Sequence, residues 1–296
     1  MSRPVGSKNK KTLALLASQG ASFAPPQKED KRTDAEIIEA IRERFDEYLM
    51  YINGTQESGI HALIVSGSAG IGKSYTAEWG LEELALKNGL KYIVVKGLIS
   101  AIDLYELAYM YREEGQVIVL DDADSIFDDQ TGLNLLKSLL DTSTVRKVCW
   151  MTDHPKFKGN NATLPKQFQY KGSMIFLTNK NFQDHIDFGG PHVEHMKALM
   201  SRAIYLDLRM HSRREVSLWA RHLIVRNHIL VNDLSGKGKI TEDEEKMLMD
   251  WIIQHMDEMR EVSIRTALKL GLIFKSARAR GKSWEASARM ALLRGY

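Results

Sequence analysis

The sequence predicts an α/β fold: a doubly wound core around a parallel sheet, followed by a small all-helical domain. Three observations predict it. Apolar runs at His61–Val65, Tyr92–Val95, Val117–Leu120, Met174–Leu177 and Ala203–Leu206 have the length and continuity of strands buried on both faces. Helical stretches lie between most of them. From His211 the strand pattern stops, and "RREVSLWARHLIVRNHIL", "EDEEKMLMDWIIQHMDEM" and "VSIRTALKLGLIFKSARA" all carry helical spacing. The expected divisions are a disordered basic tail at 1–32, an α/β core at 33–210 and the helical domain at 211–296.

Each element has its own signal. The tail is polar and holds Pro25-Pro26, and residues 1–11 carry four positive and no negative side chains. A helix is predicted from Thr33 or Asp34, either of which can cap it, with Ile37, Ile38, Ile41, Phe45 and Leu49 on one face. "NGTQESG", Asn53–Gly59, reads as the loop that ends this helix. No run reaches the roughly 18 apolar residues of a membrane-spanning helix. The N-terminal apolar run "LALLA" is five residues long, short of the roughly 7–15 that a secretory signal needs, so a cytoplasmic protein is expected. Cys149 is the single cysteine, which excludes an intramolecular disulfide and any cysteine-cluster metal site. The net charge of +3 is too mild to imply nucleic acid by itself.

The stretch with the most chemistry is "IVSGSAGIGKSYT". Gly67-Ser68-Ala69-Gly70-Ile71-Gly72-Lys73-Ser74 matches GxxxxGK[ST] at every fixed position, after an apolar strand and before a helix. Glycines let the backbone wrap a phosphate with its N–H groups turned inward. The helix start adds the positive end of its dipole. Lys73 would reach the outer phosphates and the Ser74 hydroxyl would ligate Mg²⁺. With the following Tyr75, these residues are the expected ATP-binding set. "QVIVLDDADSIFDD" supplies the acids. Asp121, at the tip of a buried strand, suits the magnesium shell, so Ser74 and Asp121 form the expected metal pair. Asp122 stands where the attacking water would be polarised. It is one methylene shorter than the glutamate more often found there, so it acts as base or turnover is slow. Asp124 is a weaker candidate.

Three further passages resemble AAA+ ATPases. "SMIFLTNKN" resembles the strand whose polar tip contacts the γ-phosphate, which carries over onto Asn179 after Thr178. "HMKALMSRAIYLDL" resembles the helix ending in Ser-Arg before the last core strand, where the arginine reaches a neighbouring subunit's ATP; here that is Arg202. "EVSIRTALKL" resembles the lid helix with an arginine facing the γ-phosphate of its own subunit; here that is Arg265, with Arg213-Arg214 as competitors. The order of motifs matches over about residues 55–275 and is similar in style to AAA+ ATPases of phages and plasmids. The resemblance implies ATP and Mg²⁺ as cofactors and a ring or open-ring homo-oligomer, foremost a hexamer. ATP would lie at subunit interfaces. Asp122, Asn179, Arg202 and Arg265 would be the catalytic set, an arginine finger being worth about 10³–10⁵ in rate.

The resemblance leaves the work done open, since fold does not choose it. DNA, or a DNA-bound complex in phage or mobile-element replication or recombination, is the leading substrate, in the host cytoplasm and with a replication or recombination protein as partner. The rivals are a protein-remodelling chaperone, an ATP-gated DNA-binding switch with slow turnover, and a small-molecule kinase. Met151–Gly172 interleaves Lys156, Lys158, Lys166 and Lys171 with Phe157, Phe168 and Tyr170. That composition suits single-stranded nucleic acid, or an ordinary loop whose rings pack on the core. "RPVGSKNKK" reads as a phosphate-contacting arm or a solvating tail, and residues 265–296 carry eight Arg or Lys against Glu285. "KGLISAIDLYELAYMYREEG" lacks the aromatic–apolar–Gly tripeptide of protein-unfolding rings, which disfavours that rival.

Overall fold

The computed structural model describes residues 30–157, 164–189, 191–232 and 238–295. The predicted tail lies outside them apart from Asp30–Arg32, as does Lys158 of the lysine-rich passage.

The core alternates strands and helices in chain order. It begins with α1 (Asp34–Glu57), β1 (Ala62–Ser66), α2 (Lys73–Asn88), β2 (Tyr92–Lys96), α3 (Ala101–Met110) and β3 (Val117–Asp121). A short 3-10 turn, Asp124–Phe127, leads into α4 (Gln130–Leu139), a hairpin of β4 (Arg146–Cys149) and β5 (Gln167–Tyr170), then β6 (Ser173–Thr178). Two helices, α5 (Phe182–Asp187) and α6 (Val193–Met200), precede β7 (Ile204–Asp207). Five strands form one parallel sheet in the order β2-β3-β6-β1-β7. All five predicted strands are present within a residue or two of their predicted bounds.

Side-chain alternation sorts each apolar run onto the two faces. In β1, Leu63 and Val65 pack with α1 and α2, joined by Val117, Val119, Ile175 and Leu177. Ala62 and Ile64 pack on the opposite side with α3, α4 and α6. Helix α1 is capped by Thr33, whose side chain and Glu36 exchange hydrogen bonds with each other's backbone. Its Ile37, Ile41, Phe45, Tyr48 and Ile52 are buried. The predicted loop at Asn53–Gly59 is corrected: α1 runs on through Glu57. Gly54, which reads locally as a breaker, sits tightly against Ile60, and the Thr55 hydroxyl donates to the Ile52 carbonyl at 2.7 Å, so tertiary packing carries the helix past it.

The hairpin is the one pair of strands the sequence does not announce. Its strands are four residues each, and Arg146 occupies a fully buried position. The guanidinium donates to the carbonyls of Leu139 (3.1 Å), Tyr170 (3.2 Å) and Gly172 (2.6 Å) and stacks on Tyr170. The rings of this passage turn inward. Tyr105 of α3 meets Trp150, Phe157 and Phe168 edge-on at 5.0–5.6 Å, and Tyr170 is buried. Lys156 pairs with Asp103 and Glu106. The stacking platform for single-stranded nucleic acid is therefore not present in the described part of Met151–Gly172; those rings are core.

After β7 the chain is helical: α7 (Arg213–Asn227), α8 (Ile229–Asn232), α9 (Glu242–His255), α10 (Ile264–Ala279) and α11 (Trp284–Leu292). Ser212, Thr241, Ser263 and Ser283 cap four of them by accepting a backbone N–H. These helices share a core of Ile224, Leu248, Met249, Ile252, Leu270 and Phe274. Leu218 and Trp219 of α7 join instead the α1–α2 cluster, so the helical region is packed onto the sheet side that carries the phosphate loop. Arg32 donates to buried Glu215 at 2.6 Å and Arg214 to Asp34 at 2.5 Å, which fastens the start of α7 to the start of α1.

Candidate nucleotide-binding site

The site lies at the carboxyl ends of β1, β3 and β6, where ligands of open parallel sheets gather. The loop after β1 bends at Gly70 (φ 72°) and Gly72 (φ 103°), both in the left-handed region that only glycine adopts cheaply. A Cβ at Gly70 would also collide with Ser263, so the loop and α10 approach as closely as backbone allows. Helix α2 starts with no side-chain cap, leaving its first N–H groups facing the loop.

Lys73 is buried, and its Nζ donates to the carbonyls of Gly67 (2.6 Å) and Ser68 (3.0 Å) and to Asn179 Oδ1 (2.9 Å). Burial lowers its pKa to about 8, an effect increased by Arg265 and opposed by Asp122 and Asp121. Asn179 Nδ2 donates in turn to Asp122 Oδ1 at 2.8 Å, so one amide links the lysine to the second acid. Asp122 itself holds a left-handed backbone (φ 53°), while its N–H donates to Leu177 O at 3.0 Å. An aspartate tolerates that conformation better than most residues, and such outliers concentrate at functional sites. Ser74 Oγ donates to Asp121 Oδ1 at 2.9 Å, and burial raises the Asp121 pKa.

A pocket of about 340 Å³ joins these groups to the helical region. One wall is Ala69, Gly70, Gly72, Lys73, Ser74, Tyr75, Asp121, Asp122 and Asn179. The other is Leu223 and Asn227 of α7, Ile229 and Asn232 of α8, and Ile264, Arg265 and Leu268 of α10. Of the predicted nucleotide-binding residues, Gly67 and Ser68 serve through carbonyls that hold Lys73, and Ile71 is buried in the α1–α2 cluster; none of the three lines the pocket. Asp124 is off the pocket, beside Lys180. Arg265 is in it, whereas Arg213 donates to the carbonyls of Met256 and Met259 and Arg214 pairs with Asp34, and neither of these two lines the pocket. Arg202 does not line it; its Nη1 donates to Ala198 O at 2.8 Å at the end of α6.

Three supports were not foreseen. Tyr48 Oη donates to Lys73 O (3.2 Å), Trp219 Nε1 to Ile71 O (3.0 Å) and the Ile264 N–H to Gly70 O (3.0 Å). The only sequence signal for them was an aromatic on the apolar face of α1 and another on that of α7, which core packing also explains.

Among the described residues no group of three or more His, Cys, Asp or Glu is placed to cage a metal ion. A hydroxyl and a carboxylate within hydrogen-bond reach do fit Mg²⁺, which takes few protein ligands and completes its shell with phosphate and water. Phosphate binding needs a charged Lys73, so with a free pKa of about 8 nucleotide affinity is expected to fall as pH rises beyond that value. Binding then takes up a proton, and log K should decline with a slope approaching −1. Nucleotide titrations between about pH 7 and 9.5 check this; a flat profile would mean that the lysine stays charged throughout.

Among the described residues no helix is long and apolar enough to cross a membrane. No family model matches the chain. An uncharacterized 36.7 kDa protein from the nrdC–mobD intergenic region of Enterobacteria phage T4 is 35% identical over 242 residues, which are 82% of this chain and 72% of that one. Among solved structures, domain III of the replication initiation protein DnaA from Thermotoga maritima aligns with a TM-score of 0.48 at 10% identity, over 88% of this chain and 91% of that one. Cdc6p from Pyrobaculum aerophilum aligns at 0.48 and 13% identity, over 93% and 71%. DnaA bound to AMPPCP and single-stranded DNA aligns at 0.44 and 12% identity, over 86% and 66%. The chain belongs to the family of the phage T4 protein, and it carries a phosphate-loop motif between β1 and α2, paired acids at the end of β3 and a parallel sheet in the order β2-β3-β6-β1-β7.

Proposed function

We propose that the protein is an ATPase that works as a ring or open-ring homo-oligomer on DNA or a DNA-bound complex, in phage or mobile-element replication or recombination. The observation that carries the ATPase reading is the Lys73–Asn179–Asp122 chain of hydrogen bonds beside the Ser74–Asp121 pair, all at one rim of one pocket. Lys73 and the N–H groups of the loop hold the outer phosphates. Asp122 accepts a proton from, or orients, the attacking water, and Asn179 fixes the position of both. Ser74 and Asp121 would hold a magnesium ion, which would supply neutralisation of phosphate charge. Arg265 adds positive charge from α10. Arg202, outside its own chain's pocket, is assigned to the pocket of the next subunit.

The DNA reading rests on charge. Lys269, Arg280, Lys282, Arg289 and Arg294 have no carboxylate partner among the described residues, while the rings of the hairpin are buried. Contact through phosphates is therefore favoured over stacking on bases. A second reading, a slow ATP-gated switch, is favoured by Asp122: it is a short acid, already engaged by Asn179.

ATP hydrolysis with and without single- and double-stranded DNA tests these readings, with Lys73→Ala as blank. Stimulation by DNA is expected. Arg202→Ala should bind ATP without turning it over and regain some turnover when mixed with Lys73→Ala subunits. Turnover indifferent to DNA would shift the substrate to a protein. Tight binding without turnover would leave the switch.

A further inference from the structure

Lys96 ends β2, the edge strand, and its register partner on β3 is Asp121. Its Nζ lies 2.5 Å from Glu78 Oε1 and 3.9 Å from Asp121 Oδ2. The other Asp121 oxygen, Oδ1, already accepts the Ser74 hydroxyl. Glu78 stands four residues after Ser74 on α2, so a single helix face presents both toward Asp121. Lys96 does not line the nucleotide pocket. One cation thus stands between two carboxylates, on the Oδ2 side of the carboxylate assigned to magnesium, and nothing in the ATPase reading uses it.

The charges decide what it does. A dication at Asp121 and an ammonium within 4 Å of the same carboxylate repel each other, and burial around Asp121 weakens solvent screening of that repulsion. Glu78 gives the ammonium a second anchor, so it can stay near Asp121 without closing on it. We propose that Lys96 is a positioning residue that limits the magnesium affinity of the Ser74–Asp121 pair, with Glu78 as the tether that keeps it from occupying Asp121 outright. This rests on the reading of Ser74 and Asp121 as the magnesium ligands.

The two residues should then act with opposite sign. Lys96→Met removes the rival cation and should tighten Mg²⁺ roughly tenfold, half-exposure of the lysine keeping the effect below the dry-interior limit. Lys96→Arg should stay near wild type. Glu78→Gln frees Lys96 to close on Asp121 and should weaken Mg²⁺, by more in the wild-type background than beside Lys96→Met. The measurement is the Mg²⁺ dependence of the affinity for a non-hydrolysable ATP analogue, supported by direct Mn²⁺ binding, so that no turnover is needed. Lys96 is more than half exposed at a strand end, and its substitution should not unfold the protein. A Lys96→Met protein with unchanged or weaker Mg²⁺ affinity, while wild type is Mg²⁺-dependent and Asp121→Asn is not, overturns the proposal alone. Wild type and Asp121→Asn binding the analogue alike, with and without Mg²⁺, overturns the assignment of the metal pair and this proposal with it.

Discussion

Lys73→Met is expected to abolish nucleotide binding and to leave the nucleotide-free protein at least as stable as wild type. The two effects have one origin. The ammonium is buried and hydrogen-bonded to two carbonyls and an amide, with its pKa drawn down to about 8 from 10.5. A base whose folded pKa lies below its unfolded value is held at a cost wherever the unfolded chain stays protonated. That cost is full below about pH 8 and disappears as pH approaches 10.5. Methionine fills similar volume without a charge, so stability at neutral pH should rise by up to about 2 kcal/mol, less what the carbonyls of Gly67 and Ser68 lose with their donor. The gain should shrink as pH rises above 8. Charge-assisted bonds to phosphate contribute about 1.5–3 kcal/mol each, so affinity should fall about a hundredfold or more. Thermal melts with and without ATP read both: a higher baseline Tm and no ligand-induced shift. A variant that still binds ATP like wild type would remove Lys73 from the site.

Trp219→Ala should produce the largest loss of stability, about 3–5 kcal/mol. The indole is buried, stacks on Phe45 at 4.7 Å and donates to Ile71 O at 3.0 Å. Truncation empties the joint between α1, α7 and the phosphate loop. Trp219→Phe separates the contributions. It keeps the stack and loses the donor, so it should cost about 1–3 kcal/mol, leave a folded protein and weaken ATP binding because Ile71 is no longer fixed. Chemical denaturation measures the first and nucleotide titration the second. If Trp219→Phe binds ATP with wild-type affinity, the indole supports the fold and not the loop.

Much of this was legible because it is local. Gly67–Ser74 and the pair Asp121-Asp122 are runs of adjacent residues, and the five sheet strands are unbroken apolar runs. Asn179 follows such a run by one residue, Thr178, and the structure sets it between Lys73 and Asp122. What was hidden is long-range. Trp219 and Ile71 are 148 positions apart, and Trp219 sits on an apolar helical stripe that looks like any other. The Ile264–Gly70 bond is made by a backbone N–H, which has no sequence signature. The hairpin strands are too short for their alternation to stand out, and the aromatics between them read equally as a binding surface until Tyr105 is seen packed against them. Gly54 misled for a similar reason: its local propensity ends a helix, and its contact with Ile60 extends one.

The bonds from Trp219 and Ile264 end on carbonyls of the phosphate loop itself. The C-terminal helices therefore cannot tilt as a rigid body while the loop keeps its shape: either both bonds break or the curvature of the loop changes with the tilt. On the proposed ATPase reading, release of spent nucleotide and reorientation of these helices would be a single mechanical event. Whatever grips the helices from outside would then have a lever on how long the product nucleotide stays.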